Sequence, residues 1–200
     1  AVPARRGRAP RPTPRRASAA RADASAPRPP VGLYYTTGSQ TTLRVAKMVA
    51  DALVASGAEG VMAEPIRAAL PGELAEFEKG IIVGAPSYLW DKHQVSALDF
   101  DTLEPPYGNP RDLEGKKVAV FGTGNQVEYP DNFADAVGIL CDMFEQRGAQ
   151  VVGNTGTAGY TFSRSRAARM GVFRGLVIDD DTQPDMTEER VAAWVEQIRG

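Results

Sequence analysis

Three short stretches concentrate the residues able to hold a ligand. Residues 36–42, Thr36-Thr37-Gly38-Ser39-Gln40-Thr41-Thr42, offer five hydroxyls in seven positions and no acidic side chain. Hydroxyls, backbone N–H groups and a helix N-terminus are what a phosphate dianion requires. With no Lys or Arg inside the stretch, a phosphate there would rest on neutral donors and the helix dipole. A polar strand-to-helix turn with an ordinary Thr cap is the alternative. Residues 85–91, Ala85-Pro86-Ser87-Tyr88-Leu89-Trp90-Asp91, set two large aromatics behind a stiffening proline. Such rings can cover a planar group, although Trp90 suits packing onto a sheet equally well. Residues 122–132 open with Gly122-Thr123-Gly124, which lets backbone approach a ligand closely, and continue through Asn125 and Gln126 to Tyr129 and Asn132. Their donors and acceptors suit the edge of a heterocycle, and Tyr129 is a second ring platform. Together the three stretches describe a site for a phosphorylated planar cofactor.

Composition narrows the chemistry. The 200 residues contain one cysteine, Cys141, and one histidine, His93, which excludes an intrachain disulfide framework and makes a His/Cys zinc site implausible. Both are expected to be structural or incidental, since neither lies in a ligand loop. No apolar run approaches the ~18–20 residues that span a bilayer, so no membrane insertion is expected. Charge is segregated: residues 1–30 hold eight Arg and one acid, a net of +7, and the remainder carries 15 basic and 24 acidic groups, a net of −9.

The elements that position the three stretches follow from the texture of the chain. Residues 1–30, rich in Ala, Arg, Pro and Ser and without Leu, Ile or Phe, cannot build a core and are expected to be disordered. An Arg-rich, acid-poor leader lacking a central apolar stretch matches an organelle transit peptide better than a secretory signal. Ala20-Arg21-Ala22 is a candidate processing point, and the missing initial Met suggests a clipped or incomplete sequence. A solvated basic arm that binds nucleic acid or a protein is the alternative. From residue 31, short apolar runs alternate with amphipathic stretches, the pattern of βα units. Strands are predicted at 31–35, 61–64, 81–84, 116–122, 151–152 and 176–178, the last two being pieces of one strand. Helices are predicted at 41–55, 74–78, 132–147 (capped by Asp131) and 188–199. Between the last two strand pieces lie about twenty residues rich in Gly, Thr and Arg, either functional or an inserted hairpin. Five strands separated by helices give an α/β, doubly wound parallel sheet. Such sheets bind ligands beyond the carboxyl ends of their strands, where all three stretches fall.

At this point the residues resemble the flavodoxins, specifically the long-chain type, from Val31 to Gly200. The likeness is strongest in VAVFGTGNQVEYPDNFADAVGILCDMFEQRGA, with IIVGAPSY and MTEERVAAWVEQIRG beside it, and residues 154–174 occupy the place of the long-chain insertion. The resemblance implies a flavodoxin-like strand order 2-1-3-4-5 and an insertion that splits the fifth strand. It also implies non-covalent FMN and a low-potential one-electron carrier rather than an enzyme. By position, Thr37, Ser39, Thr41 and Thr42, with Thr36, Gly38 and Gln40 in the same loop, would surround the FMN phosphate. Tyr88 and Tyr129 would flank the isoalloxazine ring. Ser87, Thr123, Gly124, Asn125 and Asn132 would line its edges, with Pro86, Leu89 and Trp90 beside them. Stacking and an acidic surround would lower the flavin potential, and the net −9 would suit docking on basic faces of partners. Implied partners are photosystem I and ferredoxin–NADP reductase. A monomer with no nucleic-acid partner is expected, in the plastid stroma of a chloroplast, with the mitochondrion as the alternative.

Three positions depart from the family pattern. Gln40 stands where the family ordinarily has Gly, and Gly38 is expected to take over the turn. Asn125 replaces a common Asp. Leu89-Trp90 follow Tyr88 where a Gly or Asn is usual, and a bulky residue resists positive φ by roughly 1–2 kcal/mol, which predicts weaker stabilisation of the one-electron-reduced flavin. The four Arg at 164, 166, 169 and 174 are expected to be solvated or internally paired, with a docking surface as the alternative. Two other readings remain open: a flavin-dependent NAD(P)H:quinone reductase, and a protein-binding module that has lost FMN.

Overall fold

The structure, a computed structural model, describes residues 30–58, 60–66, 72–87, 89–90, 93–94 and 111–199. Each strand shows period-two alternation with apolar residues on both faces, as a sheet covered by helices on both sides demands. In β1 (Val31–Tyr35) Leu33 faces one layer and Tyr34 the other; β3 (Gly80–Pro86) divides Ile82 from Ile81 and Val83, and β6 (Lys117–Thr123) divides Ala119 and Phe121 from Val118 and Val120.

One layer is made by α1 (Gln40–Ala55) and α3 (Thr187–Arg199), whose Val45, Val49, Leu53, Val191, Trp194 and Val195 pack on Leu33, Ile82, Ala119 and Phe121. The other holds α2 (Asp135–Gln146), a 3-10 turn at Glu73–Glu76 and the inserted segment, with Phe77, Leu140 and Phe144 in its core. Pairing is parallel throughout the main sheet: β2 (Val61–Pro65) on β1, β1 on β3, and β3 on β6. Two short segments, β7 (Gln150–Val152) and β11 (Leu176–Ile178), then pair with successive halves of β6, at Lys117–Ala119 and Phe121–Thr123 respectively. The order is β2-β1-β3-β6 with β7 and β11 sharing the last place, so the fifth strand is split and the main sheet, counted by its five strand positions along the chain, runs 2-1-3-4-5. A separate two-stranded piece, β4 (Leu89–Trp90) with β5 (His93–Gln94), follows β3.

The insertion is a three-stranded antiparallel sheet, β8 (Thr155–Gly156), β10 (Val172–Phe173) and β9 (Ala168–Arg169), more than the single hairpin that was one expectation. It is fastened by an aromatic cluster in which Phe133 meets Phe162 at 5.4 Å and Tyr160 at 5.6 Å, and Tyr160 meets Phe173 edge-on at 5.2 Å. Two of its four arginines are internally paired. Arg174, almost buried, meets Asp142 at 2.5 Å and Glu145 at 2.5 Å, and Arg169 meets Asp142 at 2.7 Å. Gly138 lets the backbone of the insertion lie close on α2, because a Cβ there would lie 2.2 Å from the Arg166 carbonyl oxygen.

Two expectations need correction. The helix predicted over 132–147 begins only at Asp135, and Asp131 does not cap it: the N-cap is Ala134 in the left-handed region at φ 51°, with no side-chain cap. The preceding residues are drawn elsewhere. Phe133 is buried in the aromatic cluster and its N–H donates to the Arg164 carbonyl at 3.3 Å. The second correction concerns Gly38, which does not adopt a positive φ and does not take over the turn. Gln40 is the first residue of α1, an exposed helical position where a Cβ is compatible with the backbone.

Candidate functional site at the carboxyl edge of the sheet

The strand-to-helix connection after β1 is held by local chemistry. The Thr36 N–H donates to the Gly84 carbonyl at 3.1 Å, fixing the start of the loop to the central strand. Ser39, in extended conformation, is the N-cap of α1 and its Oγ accepts the Thr42 N–H at 3.2 Å. No carboxylate stands in the first turn of α1, whereas α2 has Asp135 and α3 has Glu188 and Glu189 there. No side chain of α1's own first turn therefore neutralises the positive end of its dipole. Thr36 is buried, and its hydroxyl has no hydrogen-bond partner among the described residues. Thr42 is also buried and shares a hydrogen bond of 3.1 Å with Thr123 at the end of β6, which ties the first loop to the third.

Beside that loop lies a cleft of about 290 Å³. Of the sequence-predicted residues, Ser39, Thr41, Pro86, Ser87, Thr123, Gly124, Asn125 and Tyr129 form its wall. Thr37, Gly38 and Gln40 lie in the adjoining loop and helix start, outside that wall. Asn132 is turned towards Asp135, its Nδ2 3.4 Å from the carboxylate. Ser87 also serves the fold, since its Oγ accepts the Ala136 N–H at 3.0 Å and gives α2 the N-terminal acceptor that Asp131 does not supply. Tyr88 lies outside the described residues, and so do the side chains of Leu89 and Trp90, whose backbone forms β4.

Sequence reasoning missed Glu128, Asp180 and Asp181, which complete the wall. Asp180 and Asp181 belong to the acidic run immediately after β11, a position that the carboxyl-edge rule singles out as well as it does the other three. Arg44 of α1 forms an ion pair with Asp180, which offsets the charge nearest α1. Asp181 accepts from Asn125 Nδ2 at 3.3 Å, so a carboxylate stands beside the position where the family's common Asp is absent. Tyr129 is 40% exposed and donates its hydroxyl to Glu128 at 3.0 Å, a bond that raises its pKa above the ordinary phenol range. The wall thus combines hydroxyl donors beside a helix N-terminus, the exposed Tyr129 ring and three carboxylates, of which Asp180 is paired with Arg44 of α1. It can hold a molecule that carries both an anionic group, set at the start of α1, and a flat ring.

Fold and cleft define a doubly wound α/β protein with its binding site at the carboxyl edge. The sequence profile described as Flavodoxin matches residues 33–194. The flavodoxin of a Nostoc strain is 37% identical over 169 residues, covering 84% of this chain and 95% of the relative. That of Haemophilus influenzae is 36% identical over 170 residues, covering 84% and 92%. Among solved structures, a mutant Fusobacterium nucleatum flavodoxin bound to flavin mononucleotide superposes with a TM-score of 0.72 at 25% identity, covering 84% of this chain and 94% of that one. The chain belongs to the flavodoxin family.

Proposed function

We propose that the protein is an FMN-dependent low-potential electron carrier working in a plastid, with photosystem I as donor and ferredoxin–NADP reductase as acceptor. The observation that carries the cofactor reading is the cleft that joins the hydroxyl-bearing, acid-free start of α1 to the Tyr129 ring, together with membership of a family of electron carriers rather than enzymes. The residues fit FMN. The buried Thr36 hydroxyl, without a partner among the described residues, and the acid-free start of α1 suit its phosphate, and Ser39 and Thr41 lie beside them. FMN, when bound, supplies the one-electron chemistry. The rest is done by the chain: Tyr129 offers a ring to cover the isoalloxazine, Asn125 and the Thr123–Gly124 backbone present polar atoms to its edge, and Glu128 and Asp181 oppose added negative charge. Opposing that charge lowers the reduction potential and makes a stronger donor.

The partners are redox proteins, and the net charge of −9 over residues 31–200 suits basic docking faces on them. No helix among the described residues is long and apolar enough to cross a membrane. The plastid assignment rests on the Arg-, Pro- and Ser-rich composition of residues 1–30. Quenching of FMN fluorescence on titration with the purified full chain is the first test. Saturable quenching at submicromolar concentration is expected, and no binding at micromolar FMN overturns the carrier reading. Rapid NAD(P)H turnover by the protein alone would turn the reading towards a quinone reductase. A fluorescent protein fused behind residues 1–30 is expected in plastids, and mitochondrial import would correct the location.

A further inference from the structure

The loop that forms one wall of the cleft is fastened to the insertion by a buried amide. Gln126, 3% exposed, donates its backbone N–H to Asp179 Oδ2 at 3.0 Å. Its side-chain Nε2 donates to Thr182 Oγ1 at 3.1 Å, and its Oε1 accepts the N–H of Thr161 in the insertion. The orientation of the amide is fixed by its surroundings. Thr182 Oγ1 gives its proton to Asp179 Oδ2 at 2.6 Å, so it can only accept from Gln126, which leaves Oε1 to face Thr161. Asp179 is fully buried and also accepts the Thr182 N–H at 3.0 Å. Next to this knot, Asn125 Oδ1 accepts the N–H groups of Val127 at 3.0 Å and Glu128 at 2.8 Å, so the cleft wall turns directly on the held residue. Further along, the Pro130 carbonyl accepts from Ser163 at 2.9 Å and Arg164 at 3.0 Å, both in the insertion.

We propose that Gln126 is a positioning residue that locks the inserted sheet to the cleft wall, so that the seating of the insertion sets the placement of Asn125, Glu128 and Tyr129 and with it the affinity and potential of the bound flavin. The proposal rests on the carrier reading above. Gln126 itself touches no cofactor in this scheme; it acts through the residues on either side of it in the loop. The insertion thereby becomes part of the site although its own residues do not line the cleft.

Gln126→Met removes both side-chain hydrogen bonds at nearly constant volume, and Phe162→Ala loosens the insertion from Phe133 and Phe173. In the full chain, Q126M is expected to weaken FMN binding about tenfold, the scale of a buried hydrogen-bond loss. Its midpoint potential is expected to rise, because Glu128 no longer stands fixed at the wall. In the apo-protein, the amides of residues 126–128 should exchange faster in Q126M and in F162A. The double variant should fall short of the sum of the two, as coupled sites do. Wild-type affinity, potential and exchange in Q126M, or full additivity, overturns the proposal. If the unaltered chain binds no FMN the carrier reading fails, and amide exchange in the apo-protein alone decides the coupling. If Q126M does not fold, unchanged exchange at residues 126–128 in F162A is the overturning result and faster exchange the supporting one.

Discussion

Gln40 shows how one side chain tests a family rule. Its backbone is helical and its side chain exposed, so nothing at this position requires glycine. Gln40→Gly should lower stability by about 0.5–1 kcal/mol through helix propensity alone and leave FMN affinity within twofold, measured by urea unfolding and flavin titration. Ser87→Ala should cost about 1 kcal/mol, because the Ala136 N–H loses its acceptor at the start of α2. Two buried groups set an alkaline limit. Burial pushes the Cys141 thiol up to about 12, and it pushes the Tyr160 hydroxyl, bonded to the Val177 carbonyl at 2.5 Å, up to about 12 as well. Both ionise more readily in the unfolded chain, so the native state binds more protons and stability falls as pH rises from about 9 to 12, by at most ~1.4 kcal/mol per group per pH unit. Tyr160→Phe should remove its own share, which begins near pH 10, and leave that of Cys141, seen as a shallower decline in denaturant midpoint. Loop chemistry was legible because hydroxyls, glycines and aromatics cluster after strands. The double use of Ser87 was not, since it depends on which loops the sheet brings side by side, whereas the carboxylates directly after β11 obey the same carboxyl-edge rule and were passed over.

At the scale of elements, short apolar runs between amphipathic stretches revealed every strand of the main sheet. The start of α2 was misread because Asp131, Asn132 and Phe133 look like a cap and a first turn. What overrides that local preference is a distant partner, the insertion, which buries Phe133 and takes its N–H. The same segment explains Gly138. Gly138→Ala improves helix propensity by about 1 kcal/mol, yet the added Cβ would meet the Arg166 carbonyl and force the insertion outward, so a net loss of about 1–3 kcal/mol is expected in urea unfolding. Arg174→Met should also loosen the insertion, by removing the cation that Asp142 and Glu145 share, although Asp142 keeps its pair with Arg169. Those carboxylates remain partly exposed and can rehydrate, so the expected cost is only about 1–2 kcal/mol, read as faster amide exchange in β8 and β10.

For the molecule as a whole, charge separates the two parts of the chain more sharply than any fold boundary does. The acidic body should meet basic redox partners by steered encounter, and the electron-transfer rate with such a partner should fall by roughly tenfold or more as salt is raised from about 10 mM to about 300 mM. A rate indifferent to salt would remove long-range attraction from the account. The split fifth strand bears on how the chain assembles. β7 can join β6 as soon as α2 has formed, but β11 and α3 must wait until some twenty intervening residues have closed on themselves. Late pairing of distant segments slows folding. Refolding should therefore pass through a species with β1, β3, β6 and β7 joined and the last strand and helix still free, visible in pulse-labelled hydrogen exchange as late protection of Leu176–Ile178. In that species the carboxyl edge lacks Asp179, Asp180 and Asp181, so the site becomes whole only with the final step.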